Sequence, residues 1–178
     1  LSRFRNAQLI GSVNWTMLPH MNDLWLGLLS ALEGKAAGTP RPIFFADLAD
    51  PEKRPVEDLR EAGGIIARFQ KQCDVIFGLN FKESLQVAAA LGIEADQTED
   101  GIEDTAAKIR QKLGVSCVVI HPRSQAAAAT AEGTASFKGP FVYEPKISTG
   151  AGDHFNAGFC LGRPLGFTLE ESLWIGTV

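Results

Sequence analysis

The stretch STGAGDHFNAGF, residues 148 to 159, decides how the chain is read. Three very small residues, Gly150, Ala151 and Gly152, stand directly before Asp153, and a run of helix-compatible apolar and small residues comes after it. A helix N-terminus presents unpaired backbone N–H groups and about half a positive charge. Glycines let the backbone bend and approach a ligand closely. Together these make an anion site, and phosphate is the usual anion. An aspartate that only bound there would compete with the phosphate. It makes better sense as a base for a hydroxyl that attacks the phosphorus. Phosphoryl transfer needs an aligned hydroxyl, a proton acceptor and donors for the charge on the transferred group. A structural alternative stays open on these residues, because aspartate is among the commonest helix N-caps and glycines are common in loops before helices. The bend lacks the GK[ST] ending of a Walker loop and is not a G-x-G-x-x-G dinucleotide fingerprint.

Upstream of the bend, short apolar runs alternate with helical patterns. QLIGSV (Gln8 to Val13) reads as a short buried strand. Asn22 can cap a helix whose Trp25, Leu28, Leu29 and Leu32 fall at i, i+3, i+4 and i+7, and Gly34 can end it. PIFFAD (Pro42 to Asp47) is a second strand, apolar until its last residue. Pro55 suits the first turn of a helix running to about Gln72, with Gly63-Gly64 as a weak point inside it. CDVIFGL (Cys73 to Leu79) is a third strand. Two helices come next, ending at Gly92 and Gly114, and VSCVVIH (Val115 to His121) is a fourth strand. From Ala126 to Tyr143 the rhythm breaks into short β-like pieces around Gly133 and Gly139, read as a hairpin at the sheet edge. Strands that are apolar throughout, separated by helices, predict an α/β fold, a Rossmann-like parallel sheet with helices on both faces. Ligands bind beyond the carboxyl ends of such strands. The residues placed there are Asn14, Thr16, Asp47, Asp50, Asn80, Glu83, His121 and Arg123.

Composition narrows the classes of function. The 178 residues suffice for one domain, with 45% hydrophobic and 21% charged residues, the balance of a soluble globular protein. No apolar run approaches the ~18 to 20 residues that span a bilayer. The net charge of −4, without a basic cluster, argues against nucleic acid or a membrane as partner. Cys73, Cys117 and Cys160 are far apart, lack metal-ligand spacing and read as reduced core cysteines of a cytoplasmic protein. The chain begins with Leu1 and stops at Val178 inside a helical pattern, which reads as part of a longer polypeptide.

The stretch around Asp153 resembles the C-terminal signature of the ribokinase-like, or PfkB, carbohydrate kinases, roughly D-T-x-G-A-G-D followed by three variable residues, a small residue and glycine. Ser148, Gly150, Ala151, Gly152, Asp153, Ala157 and Gly158 fit, whereas Ile147 stands where the family usually has a polar residue. The resemblance implies that the backbone of Gly150, Ala151 and Gly152 forms an anion hole and that Asp153 takes the proton from the sugar hydroxyl. Upstream, GLNFKES (Gly78 to Ser84) is similar to the family's N-x-x-E motif, which implies that Asn80 and Glu83 organise magnesium, largely through water, and the phosphates. The same pair also reads as a helix capping box, with Asn80 as N-cap and Glu83 at N3. DPEKRP (Asp50 to Pro55) resembles the D-P-x-x-R-P of fructokinase-like members, and is equally an ordinary turn with Arg54 in solvent.

One departure stands out. Where the family often shows T-x-G-x-x-G against the nucleotide, this chain has IHPRSQA (Ile120 to Ala126), with no glycine. His121 and Arg123 are the residues there with reach toward a phosphate, Arg123 being the one assigned to the nucleotide; a solvent-facing loop is the alternative reading of the segment. The resemblance runs from about Gln8 to Val178. It implies that residues 1–178 are the C-terminal part of a single ribokinase-like kinase domain, without its N-terminal strands, lid and G-G-x-x-x-N sugar motif. It also implies an ATP- and Mg2+-dependent kinase of a sugar or sugar-like alcohol, and it admits a homodimer as the assembly. A nucleoside kinase of the same fold and a catalytically weak ligand-binding relative are the alternatives.

Overall fold

The computed structural model describes residues 2–33, 41–147 and 149–178. A short helix, α1 (Ser2–Asn6), leads into the sheet. Strands β1 (Leu9–Ser12), β2 (Ile43–Asp47), β3 (Asp74–Leu79) and β4 (Cys117–Ile120) then pair in parallel, in chain order. β5 (Ala126–Ala129) and β6 (Thr134–Phe137) extend the sheet as an antiparallel hairpin, giving the order β1-β2-β3-β4-β5-β6. The predicted parallel sheet and edge hairpin are both present.

Successive strand residues point to opposite faces, so a strand apolar at every position must feed two cores. Phe44, Ala46, Val75, Phe77, Val118 and Ile120 face one of them. Phe45, Ile76, Cys117 and Val119 face the other. The first core is covered by α2 (Met21–Leu32), α3 (Val56–Phe69), α4 (Phe81–Ala90) and α5 (Ile102–Leu113). The second is covered by α6 (Ala151–Gly162) and α7 (Leu169–Thr177). Under α2 and α3 the rings of Phe44 and Phe69 stack with centroids 3.8 Å apart, and Trp25 meets Phe44 edge-on at 6.3 Å. Each such buried ring contributes about 1.5–3 kcal/mol of transfer free energy.

Three local expectations are corrected. β1 is only partly buried, at the end of the strand order of the described residues, with Leu9 and Val13 about half exposed. Asn22 does not cap α2; His20 occupies the cap position. Asn22 lies inside the helix, where its Oδ1 accepts from Trp15 Nε1 at 2.7 Å and its Nδ2 donates to Glu61 Oε2 at 2.8 Å. A fully buried indole N–H needs an acceptor, and that need outranks the cap. Pro55 stands one position outside α3, as its cap, and the helix stops at Phe69 rather than near Gln72. Gly63 and Gly64 remain helical, Gly63 buried against Leu113 of α5. Gly34 and Ser148 lie outside the described residues. All three cysteines are buried and form no disulfide, and burial pushes Cys117 and Cys160 up to about 12. No helix among the described residues is long and apolar enough to cross a membrane.

Candidate active site

β2, β3 and β4 run in parallel, so their carboxyl ends deliver Asp47, Asn80 and His121 to one edge of the sheet. α6 begins at that same edge. Gly150 caps it at φ 88 and ψ −3, left-handed geometry that a side chain resists. No side chain caps this helix end. Its first internal bond runs from the His154 N–H to the Gly150 carbonyl at 3.0 Å, which leaves the amides of Ala151, Gly152 and Asp153 outside the ladder. Asp153 is the third residue of the helix, not its cap, and it is exposed. Among the described residues its carboxylate accepts no hydrogen bond. The structural alternative for this acid, an N-cap, is therefore not what the chain builds. Farther along α6, the carbonyl of Ile175 in α7 comes within 2.6 Å of where a β-carbon on Gly158 would stand, so the last glycine of the motif serves helix packing.

α4 starts in the opposite manner. Asn80 Oδ1 accepts from the Glu83 N–H at 2.9 Å, and Glu83 Oε2 accepts from the Asn80 N–H at 2.8 Å. This is a complete capping box. Glu83 Oε1 takes a further backbone N–H, from Asp50, at 3.1 Å. Glu83 is 4% exposed; burial raises its pKa, and the two backbone bonds oppose that rise. The Asp50 to Pro55 segment serves this arrangement. Arg54 is not in solvent: its guanidinium lies 4.1 Å over the Trp15 ring and pairs with Asp58 at 3.0 Å. The segment braces the loop that presents the Asp50 N–H.

Between the two helix ends lies a cleft of about 590 Å³ whose walls include Asn80, His121, Arg123, Phe141, Ala151 and Gly152. Ile147, the residue that departs from the family pattern, also lines it and is exposed. Glu83 is buried behind Asn80, and Asp153 stands one residue beyond the wall formed by Gly152. The Arg123 guanidinium sits 5.8 Å from the Phe141 ring centre. His121 fills the place of the missing glycine motif. Its ring packs 4.7 Å from that of Phe155, and its Cε1 lies 3.3 Å from where a Gly152 β-carbon would be. Its Nε2 is buried without a hydrogen-bond partner among the described residues. Burial drives the imidazole down to about 4, against the opposing pull of the Asp153 charge, so the ring is neutral near pH 7.

Two further residues complete this edge. Asn156, on α6, donates from Nδ2 to Asp47 Oδ2 at 2.9 Å. Asp47 is pushed up to about 6, first by burial and then by the charge of Glu83. Asp47 is visible in the sequence as a strand-end acid. Asn156 carries only one signal, its position three residues after Asp153. Phe141 and Thr177 enter the cleft from segments without any motif, and Phe155 from a variable position of the motif around Asp153.

An open, largely parallel sheet with an uncapped glycine-led helix at its carboxyl edge defines a ribokinase-like, or PfkB, fold, and solved structures share it. The PfkB protein from Polaromonas sp. JS666 aligns with a TM-score of 0.69 and 15% identity, covering 99% of this chain and 53% of that one. Adenosine kinase from Trypanosoma brucei brucei aligns with a TM-score of 0.75 and 18% identity, covering 99% and 51%. At such identities the likeness is one of fold. The model of the prokaryotic ketohexokinase family matches residues 2–178, and the chain belongs to that family. The ketohexokinase of Haloferax volcanii is 29% identical over 170 residues, which are 96% of this chain. The chain spans 44% of the length of that curated relative.

Proposed function

We propose that this chain provides the phosphoryl-transfer part of an ATP-dependent kinase acting on a ketohexose-like sugar. The observation that carries the proposal is the open N-terminus of α6, with amides at Ala151 and Gly152 on the cleft wall and an exposed carboxylate on Asp153, none of them bonded among the described residues. In this reading Asp153 accepts the proton of the sugar hydroxyl as its oxygen bonds to the γ-phosphorus. The bond from that phosphorus to the β–γ bridging oxygen breaks, and ADP leaves. Charge on the transferred group is met by the amides at Gly150 to Gly152. Arg123 and His121 line the same cleft, on the nucleotide's side.

Magnesium fits an outer-shell place here. Asn80 Oδ1 and both Glu83 oxygens already hold backbone N–H groups, and among the described residues no three His, Cys, Asp or Glu side chains are grouped to hold a metal. Carboxylate and amide oxygens keep lone pairs for metal-bound waters, which magnesium retains. The ion would neutralise phosphate charge when bound. Buried cysteines that form no disulfide suit a reducing compartment such as the cytoplasm.

ATP turnover by the full-length protein, measured against ketohexoses, aldohexoses and nucleosides, tests the proposal. Magnesium-dependent phosphorylation of a ketohexose is expected. Turnover confined to nucleosides would assign the other branch of the fold, and sugar binding without ATP turnover would assign a ligand-binding relative.

A further inference from the structure

A polar pair links the sheet to the helix that carries Asp153. Asn156 lies three residues beyond Asp153, so the two share one face of α6. Asn156 is 5% exposed, and its amide nitrogen bonds the carboxylate at the end of β2, at 2.9 Å. Its amide oxygen is buried with no partner among the described residues. An apolar side chain would avoid that unpaired atom, so the pair is not optimised for stability. The sheet is shaped to receive it. Gly78 pairs with Asp47 in the β2–β3 register, and a β-carbon on Gly78 would stand 3.2 Å from the Asn156 amide oxygen and 2.7 Å from the Phe45 ring. The missing side chain is what lets Asn156 reach the strand ends. The other polar side-chain contact in this turn, His154 Nδ1 against the Gly150 carbonyl at 2.8 Å, stays within α6, so among the described residues only the Asn156 bond ties the turn to the sheet.

We propose that Asp47 and Asn156 form a positioning pair for Asp153, a strand-to-helix tie that fixes the face of α6 from which the base acts. The inference rests on the function proposed above. The tie needs an acceptor at residue 47, not a charge. Burial and the neighbouring Glu83 already disfavour the charged form of Asp47, so removing the carboxylate should not unfold the protein.

The test uses the full-length kinase. Asp47→Ala and Asn156→Ala should each lower kcat by roughly 10- to 100-fold, the scale of a misplaced reacting group. KM for sugar and nucleotide should hold within about threefold, since neither residue lines the cleft. Asp47→Asn still accepts from Asn156 and should restore most of kcat. The double alanine variant should lose no more than the worse single one, because both break one bond. If Asp47→Ala fails to fold, Asp47→Ser, one atom too short for the bond, carries the same expectation. An unchanged kcat in the alanine variants, a loss appearing in KM, or an Asp47→Asn variant as slow as Asp47→Ala would overturn the tie. Asp153→Asn is run alongside. If it retains the parent rate, the base assignment falls and the tie with it; if it is slow while the alanine variants are not, only the tie falls.

Discussion

α4 and α6 both begin at the carboxyl edge of the sheet, and both meet the same cleft. Their ends are built in opposite ways. At α4 a capping box ties the Asn80 and Glu83 N–H groups to side chains, and Glu83 also holds the Asp50 N–H. At α6 a left-handed glycine starts the helix and the first amides are left open. α7 is closed again, by Thr168 and Glu171 in a second capping box. Side-chain caps are not general here, since α2, α3 and α5 also lack one; what sets α6 apart is its left-handed glycine start on the wall of the cleft. A side-chain cap is worth about 1 kcal/mol, and forgoing it at α6 leaves donors for an anion. The contrast separates a fixture from the proposed phosphate site among residues that look alike as motifs.

The strongest way to break this contrast is Asp153→Asn. It keeps the shape of the open end and removes the base, so kcat should fall at least ~10²-fold while the melting temperature holds. A matching loss of stability with turnover intact would make Asp153 a structural residue. Gly150→Val should come next. A β-branched residue at φ 88 is strained by about 1–2 kcal/mol, and relief of that strain would tilt the amides away from the cleft. Nucleotide affinity should fall together with stability in denaturant titrations. Asn80→Ala opens the closed end and should cost about 1 kcal/mol, with a smaller loss of turnover than Asp153→Asn.

The finest effect concerns pH. His121 is held near 4, below its ordinary 6.5, so the unfolded chain binds the extra proton. Its contribution is complete above pH 6.5 and is lost as pH falls toward 4. Asp47 is raised from 3.8 to about 6, so the folded chain binds the extra proton, and stability is lost as pH rises across that interval. Relative to the parent, the gain of His121→Gln should therefore grow as pH falls below 6.5 and be largest at and below about pH 4, and Asp47→Asn should gain most above pH 6. Unfolding midpoints across that range would show whether the two opposed slopes are there.

The sheet was legible because its signal is repetitive: PIFFAD, CDVIFGL and VSCVVIH are apolar at positions of both parities, which only a doubly covered strand needs. GAGD and N-x-x-E located both helix ends. What sequence could not separate was their roles, since a capping box and a metal motif use the same letters at the same spacing. Asn22 was misplaced because its partner, the Trp15 indole, is local in space but no part of a capping pattern. The place of β1 at the end of the described strand order depends on which strand lies beside it, and no residue within QLIGSV encodes that. Asp47 and Asn156 are separated by 109 residues, so their bond appears only when β2 and α6 are brought together.

The central claim is that the open end of α6 receives the phosphates of the nucleotide. Backbone amide resonances, tracked while the full-length protein is titrated with magnesium and a non-hydrolysable ATP analogue, test it most directly. The account predicts saturable shifts at Ala151, Gly152 and Asp153, with Leu169 and Glu170 at the capped start of α7 unmoved. Saturation of the nucleotide site with the amides of Ala151 to Asp153 unshifted would contradict it.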